Sequence, residues 1–339
     1  TGTLSFDVAN GGILTVVANN GVANNGAAGS ITINIAGSAP TDGTYTLIAY
    51  SGSLQGSGFS AYQLGTTPPG KTYKLVNTGS AVQLSVAPAL FWTGAQSSEW
   101  SINAIGGSKN WTYNTTPSDY TNGMGVVFDE TLPGTSTVDI SVADVTPASV
   151  AFNNTLSNYT LQGSAAIAGA TALNKSGTNT LQILNDNTYT GPTIISAGTL
   201  QLGGSGTSGS ISNTAGIIDN GALLVNRGGA LSIDCVISGS GTVTKQGAGT
   251  LTLSGPNTYT GETTVNAGTL NLTGNRTVAP TSTGVRVAVG GTSAVLGLSG
   301  DFPLGTSQFV VGNATGAGTV NQTAGTVTLA GGNQLTVGT

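Results

Sequence analysis

The chain has 339 residues and 33.2 kDa, about 98 Da per residue, with 54 Gly and only 6% charged residues where an ordinary soluble domain carries roughly 25%. With 8 Lys+Arg, 13 Asp+Glu, no His, one Cys and a net charge of −5, it lacks the means for Ser-His or Cys-His catalysis, for most zinc sites, for an internal disulfide and for a basic nucleic-acid footprint. Few charges argue against helices, 38% hydrophobic residues argue against disorder, and the expectation is a secreted all-β protein with a polar, uncharged surface.

In chain order, Thr1 opens without Met or a leader, which reads as a processed or excised piece. No run of about 18 apolar residues follows, so no helical membrane span or membrane insertion is expected. Residues 1–39 read as β-solenoid coils. Residues 40–88 read as a hairpin-rich module, with Gly43-Thr-Tyr-Thr-Leu-Ile48, Gly56-Ser-Gly-Phe59 and Leu75-Val-Asn77 ahead of Pro88. Residues 89–147 carry Phe91-Trp92-Thr-Gly94, Glu99-Trp100-Ser101, Lys109-Asn110-Trp111 and Val126-Val-Phe-Asp129, an aromatic module packing its own small core. Residues 148–339 read as a solenoid.

That last segment contains a repeat. Residues 175–204 and 245–274 align without a gap at an offset of 70, with 16 identities in 30 positions. Both contain Lys-x-Gly-x-x-Thr-Leu, Asn-Thr-Tyr-Thr-Gly-x-Thr and Ala-Gly-Thr-Leu-x-Leu. A shorter unit, Ala-Gly-Thr-(Leu/Val)-x-Leu, recurs at 197–202, 248–253, 267–272 and 324–329. It reads as a tight glycine turn followed by a strand whose alternate aliphatic residues share one face. The stretch from Gly318 to Gly338 shows three such strands in about 20 residues, the cadence of one coil of a parallel β-solenoid.

The repeated string resembles the autotransporter-associated β-strand repeat, also called the passenger-associated transport repeat, over residues 172–204 and 242–274. The resemblance implies a right-handed parallel β-helix at a bacterial cell surface. The aromatic segments 40–86 and 90–160 are similar to the tail and head of modules in giant secreted bacterial surface proteins, which implies hairpin-rich flanking modules. Tail precedes head, and Gln334-Leu-Thr-Val-Gly-Thr339 would run into Thr1-Gly-Thr-Leu-Ser-Phe6 as one unbroken β-repeat. The chain is therefore expected to be a window of a longer periodic protein or a subunit docking head to tail on itself.

Candidate sites are few. Asp129-Glu130 and the pair Asp139 and Asp144 are the acidic clusters a β-helix lyase or hydrolase would need, but their place at strand ends and turns suits an ordinary structural role. Asn185-Asp186-Asn187 could ligate Ca²⁺ in a turn. However, the second repeat has Gly255-Pro256-Asn257 there, and Asx-turn chemistry accounts for it. Tyr189 and Tyr259, within the repeated Asn-Thr-Tyr-Thr-Gly, and Trp92, Trp100 and Trp111 are the candidate contacts to glycans or to a second copy. A turn and a core are the competing roles for these five. Ile233, Cys235 and Ile237 share one face, which makes Cys235 a small buried hydrophobe. Asn-x-Thr sequons at Asn110, Asn158 and Asn271 are expected by chance in so Asn- and Thr-rich a chain.

No cofactor, metal, nucleic-acid partner or enzyme activity is expected. The leading reading is an extracellular structural segment that forms, or belongs to, a surface fibre by end-to-end stacking. An adhesin passenger recognising glycans or surfaces is the alternative, and a β-helix polysaccharide-degrading enzyme is the third.

Overall fold

The computed structural model describes residues 2–11, 14–16, 31–50, 54, 58–65, 67, 71–130, 134–274, 284–288, 292–305, 308–312, 316–329 and 335–338. The described residues are all-β apart from two short 3-10 turns, and among them no helix is long and apolar enough to cross a membrane. It divides into two compact units, residues 1–91 with 113–116, and the remainder.

In the first unit, Gly2–Phe6, Ile31–Ile35 and Tyr62–Leu64 form a parallel sheet in which Leu4, Ile33 and Leu64 fall in one file. Leu14–Val16 pairs parallel with Gly43–Tyr50, which in turn runs antiparallel to Ala81–Trp92. Lys71–Asn77 and Ala81–Trp92 form a hairpin. Gly79 turns it at φ 88°, a left-handed conformation that glycine adopts without steric cost. Phe6, Ile33, Ile35, Leu47, Tyr50, Val82 and Leu84 belong to one hydrophobic core. The segment expected as coils (1–39) and the hairpin segment (40–88) therefore fold together. Residues 12–13 and 17–30 of the former lie outside the described residues.

The second unit is a parallel β-solenoid. Its first face stacks Gly125–Phe128, Ser149–Asn153, Leu173–Ser176, Thr193–Ile195, Ile217–Asp219 and Ile237–Ser238. Its second face is a ten-stranded ladder running from Thr137–Asp139 to Leu335–Val337. Its third face becomes a regular sheet at Leu231–Ile233 and continues through Thr250–Leu253, Gly268–Leu272, Ala294–Leu298 and Gly318–Gln322.

Register follows from the period of two along each strand. On the second face Val138, Leu161, Ile183, Leu202, Val225, Lys245, Val265, Val287 and Val311 lie on successive rungs and point inward. On the first face the inward file reads Phe128, Phe152, Lys175, Ile195, Asp219. Phe128 and Phe152 stack with centroids 4.2 Å apart and planes 7° from parallel. A file of large flat rings at strand spacing can only stack this way. Against Phe128 pack Trp92, Trp100 and Trp111, with centroids 5.3–5.7 Å away.

The two repeats do not occupy the same faces. In the first copy, Leu173–Ser176 lies on the first face and Thr180–Ile183 on the second. Thr188 and Tyr189 then bond the Ile167 carbonyl on the third, and Thr193–Ile195 returns to the first. In the second copy, Thr242–Gln246 lies on the second face and Thr250–Leu253 on the third. Thr258 and Tyr259 bond the Ile237 carbonyl on the first. The offset between the copies thus spans three coils plus one face.

Leu223 and Leu224 are adjacent on one strand, the first wholly buried and the second part-exposed on the outward side. Leu223→Ala should lose about 2–5 kcal/mol, read from the urea midpoint, and Leu224→Ala about 1 or less. Equal losses would contradict the alternation.

Candidate functional site

The repeated signature residues converge on the solenoid interior. Lys175 Nζ, fully buried, donates to the carbonyls of Ser176 (2.8 Å), Gly177 (2.7 Å) and Ala197 (3.3 Å). Lys245 Nζ repeats this with Gln246 (2.7 Å), Gly247 (2.6 Å) and Ala267 (3.3 Å). An ammonium has three donors, and each is satisfied by a corner carbonyl of its own coil or the next. Burial nevertheless penalises the charge and pulls both amines down to about 8. The Gly of Lys-x-Gly is required by geometry. Gly177 has φ 77°, and a Cβ there would collide with the Asn154 carbonyl oxygen.

The Asn-Thr-Tyr-Thr-Gly stretches are equally internal. Asn187 Oδ1 accepts the Ile167 N–H at 2.9 Å, and Asn257 Oδ1 accepts that of Ile237 at 2.9 Å. Each therefore ties its coil to the one before. The Tyr189 hydroxyl lies 2.8 Å from Thr193 Oγ1 and the Tyr259 hydroxyl 2.8 Å from Thr263 Oγ1, all four side chains being buried.

The five aromatic candidates can be placed accordingly. Trp92 and Trp111 meet edge to face at 5.0 Å, and Trp100 meets Trp111 at 5.5 Å and Tyr120 at 5.5 Å. Trp92 Nε1 donates to the Thr135 carbonyl at 2.8 Å. Trp92, Trp100, Trp111, Tyr189 and Tyr259 are each at most 1% exposed. Stacking on a sugar, or against another chain, requires an open ring face, and none of the five has one. Of the two roles the sequence leaves open for these rings, their burial matches the interior one: flat apolar groups fill the narrow space between faces.

The acidic candidates serve turns. Glu130 accepts the N–H groups of Leu156 and Ser157 at 2.5 Å and both N–H and hydroxyl of Thr155 at 2.9 Å. Burial opposes its ionisation, but these bonds outweigh it and hold the carboxyl below its usual range. Asp144 Oδ1 accepts the Ala166 N–H at 2.8 Å, and Asp139 Oδ2 accepts Gln162 Nε2 at 3.3 Å. Asp186, the middle of the Asn-Asp-Asn turn, accepts the Gly209 N–H at 3.1 Å and pairs with Arg227 at 3.5 Å. Among the described residues no three His, Cys, Asp or Glu side chains gather in a metal-binding group. Asn110, the first of the sequons, is fully buried and holds Gln96, Ser97 and Glu99 in place. Cys235 is half-buried rather than buried, because it lies in the turn between Ile233 and Ile237.

Two functional-looking groups escaped the sequence reading. Arg227 is buried and donates to the carbonyls of Gly209 (2.8 Å), Ala230 (3.3 Å) and Thr207. Asp219 is fully buried; Oδ1 accepts the Gly221 N–H at 3.0 Å, and Oδ2 has no partner. A Cβ at Gly241 would collide with Asp219 Oδ1, so glycine there makes room for the carboxyl. The signal was available: Asp219 follows Ile217 by two, which places both inward.

An outward feature remains. On the third face a shallow groove of about 470 Å³ crosses three rungs, Asn271, Gly297 and Asn321, and is lined also by Thr273, Ser299, Thr323 and the half-buried Val295.

Burial pushes the Asp219 carboxyl up to about 7. The folded protein therefore holds a proton between the unfolded value of about 3.9 and about 7, and stability falls as pH rises through that window. The loss approaches about 4 kcal/mol and is complete above pH 7. Relative to Asp219→Asn, wild-type stability by urea denaturation should decline from pH 4 to 7. A constant difference would refute the assignment.

Comparison with known proteins agrees with the interior. The passenger-associated-transport-repeat family model matches residues 173–202 and 243–272. The Adhesin BmaC autotransporter of Brucella suis biovar 1 (strain 1330) is 40% identical over 130 residues, 32% of this chain and 4% of that protein. The chain therefore corresponds to a small fraction of that relative's length. No solved structure matches. Signature, register and fold coincide: the chain carries two passenger-associated transport repeats, built, one face apart, into a parallel β-solenoid.

Proposed function

We propose that the chain is part of a non-enzymatic, adhesin-like passenger displayed at a bacterial cell surface. The observation that carries this reading is the similarity to an adhesin autotransporter, joined to repeats whose signature side chains are consumed by the interior. On this reading Lys, Asn, Tyr and Gly of the repeat hold the coils, and contact with a target falls to outward side chains that the repeat leaves free to vary. Beads coated with the purified chain should adhere to cultured cells or polysaccharide-coated surfaces at several times the level of albumin-coated beads. Adhesion equal to the albumin control on every surface would overturn the reading.

A second reading is end-to-end stacking into a fibre, for which in-register parallel coils supply backbone pairing of a kind that one copy could continue on another. Sedimentation of the purified chain across a hundredfold concentration range should show growing species if copies stack. A constant monomer would exclude self-assembly.

A further inference from the structure

We propose that the groove on the outward third face is a binding site for a neutral polysaccharide, seated at Gly297 between the carboxamides of Asn271 and Asn321. The proposal rests on the adhesin-like reading and assigns the ligand class.

The repeats supply an internal comparison. Gln201 in the first repeat corresponds to Asn271 in the second. On the next coil Gln201 faces Leu224, whereas Asn271 faces Gly297. The same scaffold position carries a Leu side chain in one copy, whereas in the other it carries none and the Asn271 carboxamide lies over Gly297. The solenoid does not need glycine there. No positive φ is recorded for Gly297, and the atom nearest a Cβ is the terminal oxygen of Asn271, which a side-chain rotation moves away. The notch is thus an outward feature that packing does not demand.

Its chemistry selects the ligand. Asn271 and Asn321 lie two rungs apart, about 9.6 Å at ordinary strand spacing, and each carboxamide both donates and accepts. The hydroxyls of Thr273, Ser299 and Thr323 do the same along the groove. Sugar hydroxyls have the same dual character. Val295, half-buried beside Gly297 on the same strand, gives the lining an apolar patch for the C–H face of a pyranose ring. The lining carries no charge, so nothing in it favours a uronate, a sulfate or a phosphate. A volume of about 470 Å³ lies within the span of small-ligand sites, roughly 300–1,000 Å³.

The test is affinity electrophoresis of the full chain in native gels containing dextran, a β-glucan, a mannan or a galactan, with alginate and hyaluronate gels alongside. Wild type should be retarded by at least one neutral polymer. Gly297→Leu, which copies the filled rung of the first repeat, should weaken that retardation at least tenfold with an unchanged melting temperature. Leu224→Ala on the other copy should leave it intact. If Gly297→Leu melts early, the double variant Asn271→Ala with Asn321→Ala carries the same expectation. No retardation in any neutral gel, retardation by acidic polymers alone, or equal retardation of wild type and groove variants would overturn the proposal. The bead assay separates the two readings. Wild type that adheres to cells in the bead assay, equally with and without the Gly297→Leu change, but is retarded in no neutral gel removes the groove and leaves the adhesin. Wild type retarded in gels but adhering to nothing leaves the groove and removes the adhesin.

Discussion

Everything in the solenoid depends on in-register parallel pairing between coils. Backbone N–H and C=O groups are satisfied by the coil below and the coil above, and side chains at one position form files at strand spacing of about 4.8 Å. Like groups then lie directly over one another. Aliphatic files gain contact this way, and like charges repel. The low charge of the chain follows from that geometry. Where an ionisable residue does enter a file, it is handled singly: Lys175 and Lys245 by three carbonyls each, Arg227 by three, Asp219 by a glycine above it.

The buried lysines show how the repeat signature arises. A corner turned by a left-handed glycine exposes carbonyls that no strand partner takes. One ammonium, reached from the inward strand position just before the corner, collects two of them and a third from the next coil. Lys-x-Gly and the Ala-Gly that follows it one coil later are therefore a single device split between neighbours. The charge costs desolvation, seen in the depressed lysines, and the three bonds offset it.

Much of this was legible from sequence. The repeat, the period-two strands and the aliphatic files follow from alternation, and the resemblance implied hairpins within residues 40–86, where Lys71–Asn77 pairs with Ala81–Trp92. Sequence alone left two roles open for Tyr189 and the tryptophans, because a buried and an exposed ring have the same local pattern; packing on Phe128 places the tryptophans, and the buried Thr193 hydroxyl places Tyr189. Asp219 was missed for the opposite reason: its spacing from Ile217 placed it inward, but acidic residues are normally read as solvent-facing. The groove depends on Gly297 opposing Asn271 from the neighbouring coil, a pairing that only the register supplies.

The one-face advance between the two repeats has a geometric consequence. Each step from one repeat to the next carries an equivalent residue up three and one-third coils. Three such steps make ten coils, about 48 Å at strand spacing, before the same face returns. Matching outward positions would then trace a slow spiral along the rod, so an array with this spacing would turn its equivalent surfaces to three directions in succession. A rod built this way has no privileged side, and a target approaching from any bearing would meet one copy in three.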